Sequence, residues 1–129
     1  MGQTVIPPGS MQVDGYPIAC GATPTFLVGP ELGDTAKANP TGIYINWPAF
    51  SGLPTGVKAF VYAHECGHML YGPDENVADA FAIRLGRSQG WINLPILQDI
   101  CATVFFSPGD WTHLPGPLRC RQMANYFAY

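Results

Sequence analysis

Apolar and polar positions change rhythm near residue 57 of this chain. Before it, apolar residues come in short runs cut by glycine and proline; after it, they recur at helical spacing. Residues 1–15 carry Pro7, Pro8, Gly9 and Gly15 and read as an irregular arm ending in a turn. Residues 16–19 and 25–28 are short β-rich runs, while residues 29–42, with Pro30, Gly33, Asn39 and Pro40, read as a polar loop. The best strand signal is residues 43–47, rich in β-branched and aromatic side chains and stopped by Pro48. Residues 51–56 read as another loop.

From residue 57 to 70 there is no proline, and Val57, Phe60, Val61, His64 and His68 fall at helical spacing. Gly72-Pro73 breaks that helix. Asp74 is a good N-cap for a second helix running to about residue 85 and ended by Gly86. Asn93 and Pro95 open a third helix over residues 94–106, since proline is tolerated in a first turn. Residues 107–116 read as a loop and residues 117–127 as a final helix. Strands first and helices afterwards predict an α+β fold. Short strands in the N-terminal half would pack on one central helix and three further helices, in a single domain.

Composition narrows the functional classes. The chain has 129 residues, enough for one buried core. Its charged fraction of 12% is half the ~25% of a usual soluble domain, and thirteen prolines and fifteen glycines take up much of the difference. Six basic residues and a net charge of −3 argue against a nucleic-acid binder. No apolar run approaches the ~20 residues of a membrane span. The opening MGQTVIPPGS lacks the basic and apolar regions of a signal peptide, so it reads as a mature start with any export signal already removed. Cys20, Cys66, Cys101 and Cys120 are an even set with no C-x-x-C spacing, which disfavours a zinc ribbon. They read as two disulfides of an exported protein, periplasmic or secreted, with buried reduced thiols as the alternative.

The chemistry sits in His64-Glu65-Cys66-Gly67-His68, an H-E-x-x-H motif inside the first predicted helix. One turn apart on one face, the two imidazoles can chelate a single Zn²⁺. Glu65 lies beside them, placed to act as general base and then general acid on a zinc-bound water whose pKa falls to ~7. Phe60, Val61, Ala63, Met69 and Leu70 around the motif are apolar, so the helix is largely buried. Burying histidine and glutamate without partners would be costly. Cys66 projects from the opposite side of that helix and is a poor candidate ligand.

A catalytic zinc usually takes three protein ligands and keeps one open position. Glu75-Asn76-Val77-Ala78-Asp79 resembles the E-x-x-A-D segment of gluzincin metallopeptidases, most closely those related to the CAAX prenyl endopeptidases. That resemblance implies a zincin-like fold, Glu75 as third zinc ligand, and Asp79 as a carboxylate supporting a zinc-binding histidine. Thr112-His113-Leu114-Pro115-Gly116-Pro117-Leu118-Arg119 resembles the T-H-P-x-x-x-x-R segment of the same group, with Leu114 in place of the usual proline. It implies that His113 steadies the developing oxyanion and that Arg119 orients the carboxylates. A loop histidine in water is the plainer reading of His113. Two departures stand out: a much shorter interval from His68 to Glu75, and no transmembrane helices, which makes the compact minigluzincins the nearer comparison. Asp74 and Asp79 remain rival third ligands, Asp74 because some metzincins take theirs six residues after the second histidine.

Related proteases bind extended peptides along an edge strand above the metal, so residues 43–47 are expected either to do this or to form a plain core strand. A Cys101–Cys120 bridge would tie the last two helices together and leave Cys20–Cys66 as the other pair, although four cysteines allow three connectivities. The leading expectation is an exported, bacterial zinc endopeptidase acting on a peptide or protein substrate, with one zinc per chain, no nucleic-acid partner and no membrane span. The alternatives are a binding or structural module fastened by zinc, and a disulfide-stapled interaction domain without metal.

Overall fold

Alternation in residues 42–46 sets the two faces of the sheet: Ile43 and Ile45 are fully buried, while Tyr44 turns to the opposite face and stacks on Phe26 at 4.7 Å. The computed structural model describes residues 4–104 and 116–128. Within them six strands come first: β1 (Thr4–Ile6), β2 (Gln12–Val13), β3 (Tyr16–Pro17), β4 (Thr25–Val28), β5 (Ala36–Asn39) and β6 (Gly42–Asn46). Five helices follow: α1 (Trp47–Ser51), α2 (Thr55–Tyr71), α3 (Glu75–Gln89), α4 (Leu94–Val104) and α5 (Gly116–Ala128). This is the small α+β domain that the order of patterns predicts.

The main sheet runs β1-β4-β6-β5, with β4 and β6 parallel and the two outer pairings antiparallel; β2 and β3 form a separate hairpin. Ile43 and Ile45 on its inner face join Phe60, Tyr62, Ile83, Trp91, Ile100 and Met123 in one core. Helix α2 runs through the middle of that core, with Val57, Ala59, Phe60, Tyr62, Ala63 and Cys66 all buried. Helix α3 packs along it more extensively than any other pair of elements. Two disulfides reinforce the packing: Cys20–Cys66 pins α2 to the segment between β3 and β4, and Cys101–Cys120 joins α4 to α5. Bridges of this kind typically stabilise a small domain by ~2–4 kcal/mol.

Four local expectations are corrected. Residues 1–15 are not an irregular arm throughout, because Thr4–Ile6 pairs with β4 and Gln12–Val13 with β3. Residues 29–42 are not simply a loop, because Ala36–Asn39 is held as a strand by pairing with β6. Strand β6 ends at Asn46, whose side chain accepts a bond from the Ala49 N–H at the start of α1, so Trp47 and Pro48 belong to a helix. Gly86 does not end α3: the Trp91 ring packs where its Cβ would stand, and the left-handed cap is Gly90 at φ 85°. Among the described residues no helix is long and apolar enough to cross a membrane.

Candidate metal centre

The site is built where α2 ends and α3 begins. Gly72, at φ 99°, and Pro73 stop α2, and Asp74 caps α3 by accepting from the Asn76 and Val77 N–H groups at 2.8 and 3.3 Å. The turn is so short that Glu75 is the first residue of α3 and stands against the H-E-x-x-H helix. The helices can approach this closely because residue 67 is glycine and faces Ala78.

His64 and His68 lie one turn apart on α2, with their Nε2 atoms 3.1 Å from each other. Each Nδ1 is already committed. His64 Nδ1–H donates to Asp79 Oδ1 at 2.8 Å, and His68 Nδ1–H donates to the Gly72 carbonyl at 3.0 Å. Since a carboxylate and a carbonyl only accept, these bonds fix the neutral tautomer in which both Nε2 atoms carry lone pairs. Glu75 meets them: Oε2 is 2.8 Å from His64 Nε2 and Oε1 is 3.2 Å from His68 Nε2. Two imine-type nitrogens and a carboxylate thus converge on one point, which requires a cation to hold them together, either a proton or a metal ion.

In the absence of metal, protons serve. Burial pulls the His64 imidazole down, but its bonds to Asp79 and Glu75 outweigh that and push it up to about 9. His68 is raised chiefly by its bond to Glu75, and Glu75 is held well below the usual carboxylate range because both imidazoles outweigh its own burial. Glu65 shifts the other way, raised first by burial and further by the neighbouring Glu75 and Asp34 carboxylates.

The donor set fits a metal ion. Ligand atoms of His64, His68 and Glu75 all lie within 4.8 Å of one another. Around zinc with bonds of ~2.0–2.1 Å, tetrahedral neighbours stand ~3.3 Å apart, within a few tenths of an ångström of most of these separations. Asp74 and Asp79, the rival ligands, are used otherwise: one caps α3 and the other backs His64. A scan against family models, the curated proteins and the solved structures found no match to this chain. The geometry therefore carries the functional argument by itself.

Behind His64 lies a buried relay. Asp79 is 1% exposed and accepts both from His64 and from a two-pronged Arg119, whose Nε lies 3.0 Å from Oδ2 and whose Nη2 lies 2.8 Å from Oδ1. Arg119 thus meets a carboxylate that backs one of the imidazoles. His113 lies outside the described residues. In front of the ligands a cleft of about 670 Å³ runs between β5 and the end of α2, and His64, Glu65, His68 and Glu75 line it. A second lobe of about 290 Å³ continues toward Phe60 and Arg119 and shares His64, Glu65 and Glu75.

Two features of this wall escape sequence reasoning. The Gly72 carbonyl that orients His68 is a backbone atom without a residue-type signal. The strand beside the ligands is β5, not the one expected at residues 43–47, of which 43–46 lie in the interior strand β6. The Asn46 N–H donates to the Thr35 carbonyl at 3.0 Å, making that an exchanging pair of the antiparallel ladder. By alternation, the N–H and C=O groups of Ala36 and Ala38 point away from β6, along what is the sheet's outer edge among the described residues, beside the cleft.

Proposed function

We propose that this chain is a zinc-dependent endopeptidase of gluzincin type, exported to an oxidising compartment. The observation that carries this reading is the convergence of two oriented imidazole lone pairs and one carboxylate on a single point beside an open cleft. His64, His68 and Glu75 would hold the ion. When bound, zinc supplies a Lewis acid that brings the pKa of a coordinated water to ~7 and polarises a carbonyl.

The chain's own residues do the rest. An extended peptide pairs with the outward backbone groups of Ala36 and Ala38, which brings one of its carbonyls over the ligands. Glu65, lining both lobes, takes a proton from the attacking water on a carboxylate oxygen and then gives it to the departing amine nitrogen. Its raised pKa suits a group that must both accept and release that proton. Asp79, backed by Arg119, keeps His64 in one tautomer throughout. His113 is proposed as the donor that steadies the oxyanion. The open cleft over the ligands favours this reading over a purely structural zinc site, which is usually closed by a fourth protein ligand. Two disulfides and the lack of free cysteines favour an oxidising location.

The test is a peptide-library digest by the wild type and Glu65→Gln at equal zinc content. Cleavage by the wild type and none by the variant is expected; equal cleavage would remove Glu65 from the reaction, and no cleavage by either would remove the peptidase assignment.

A further inference from the structure

We propose that Cys101–Cys120 is a thiol–disulfide exchange site, and that its opening by a dithiol loosens the metal centre through Arg119, Asp79 and His64. The inference rests on the metal-holding part of the reading above, not on its hydrolytic part.

The two disulfides differ in access. Cys20 and Cys66 are 1% and 0% exposed, sealed in the core. Cys101 and Cys120 are only partly buried, and both line an apolar cavity of about 550 Å³ together with Leu94, Leu97, Ala102 and Ala124. Exchange needs a thiolate to reach a sulfur along the bond, so only the second bridge offers one to an attacker.

The reachable bridge also sits at a sensitive place. Cys120 is the neighbour of Arg119 on α5, and Arg119 grips the carboxylate that orients His64. Toward its C-terminus α5 is fastened separately. Arg87 Nη1 donates to the Phe127 carbonyl at 2.8 Å, and the Arg84 guanidinium lies 5.8 Å from the Tyr126 ring centre. Opening Cys101–Cys120 therefore removes a covalent anchor from the early turns of α5 while the far end stays pinned. Those early turns carry the fork on Asp79.

In the reaction, a thiolate of the dithiol attacks one sulfur of the bridge and the S–S bond breaks. The departing cysteine leaves with the electron pair and takes up a proton. The second thiol of the reductant then attacks the mixed disulfide, giving two cysteine thiols on the protein and a disulfide in the reductant.

The experiment uses the full chain treated with dithiothreitol, with alkylation and mass analysis to show that Cys101 and Cys120 alone are opened. Zinc affinity is measured by chelator competition, and the His64 Nδ1–H resonance is followed by NMR in metal-free protein. Reduction is expected to weaken zinc binding roughly tenfold, the low end of what losing a partner behind a metal ligand costs. The Nδ1–H signal should broaden while the Ile43 and Ile83 methyl signals hold. In Arg119→Ala, already weakened, reduction should add nothing, because bridge and arginine act in one chain. Unchanged affinity and an unchanged resonance in the reduced wild type would overturn the proposal. An equal further loss in both backgrounds, resistance of the bridge to the dithiol, or collapse of the core methyl signals would do the same. Should Arg119→Ala fail to fold, the resonance in the reduced wild type decides. Hydrolysis is read nowhere, so a protein that binds zinc and cleaves nothing would leave this proposal standing.

Discussion

A Cβ built on Gly67 would lie 2.9 Å from the Cα of Ala78. This contact joins the middle of the H-E-x-x-H motif to the helix that brings in Glu75, and it leaves no space for a methyl group. The obstacle is backbone, so relief requires α3 to move as a body. Gly67→Ala should therefore cost about 1–3 kcal/mol of metal-free stability through overpacking. It should also carry Glu75 away from the imidazoles and weaken zinc binding. Thermal unfolding with and without zinc checks both; a variant with wild-type zinc affinity would show that the approach does not position Glu75.

The pair Asp79 and Arg119 makes a second prediction. Asp79 is sealed from water, so Arg119→Ala strips a buried carboxylate of its guanidinium partner. Breaking a buried pair from one side typically costs about 3–5 kcal/mol. Asp79→Asn removes the charge behind His64 and should weaken zinc binding about 10–100-fold while retaining the fold. Denaturant unfolding and chelator competition measure the two separately.

The chain announced much of this in advance, for physical reasons that differ by element. H-E-x-x-H reads clearly because its two histidines have one spacing that suits a helix and a metal together. Residues 36–39 do not: Ala36, Lys37, Ala38 and Asn39 have little strand propensity and owe their conformation to pairing with β6. Thr4–Ile6 is hidden in the same way, by the prolines that follow it. Gly86 misleads because a glycine that admits a Trp91 ring looks, in sequence, like a glycine that ends a helix. Sequence leaves the choice among Asp74, Glu75 and Asp79 open because all three lie in one six-residue stretch; the tight Gly72-Pro73 turn decides which carboxylate reaches Nε2.

Acidity should tell metal-free from metal-loaded protein. In the metal-free state His64 is raised from 6.5 to about 9, so its contribution is complete below pH 6.5 and disappears as pH rises through about 9. Glu75 is depressed, so its contribution is complete above its ordinary 4.5 and is lost only in stronger acid. Metal-free stability should therefore be greatest between pH 4.5 and 6.5 and decline toward pH 9. Zinc must displace the His64 proton, so its affinity should climb with pH over the same upper range. Unfolding curves at a series of pH values in chelator, beside zinc titrations, test this; metal-free stability that stays level up to pH 9 would contradict it.

The outer edge of β5 supplies a prediction about substrate. The Ala38 N–H points away from β6, so Ala38→Pro deletes no ladder bond and is tolerable at an edge. It does delete a donor to a paired peptide. KM should rise with zinc content unchanged, and steady-state kinetics on any cleaved peptide would show it; an unaltered KM would place the substrate elsewhere.

The most direct test of the central claim is the zinc content of purified protein, by elemental analysis, in the wild type and in His64→Ala, His68→Ala, Glu75→Ala and Glu65→Gln. The account expects about one zinc per chain in the wild type and in Glu65→Gln, and close to none in the other three. A wild type without metal, or full occupancy after removal of His64, His68 or Glu75, would contradict it.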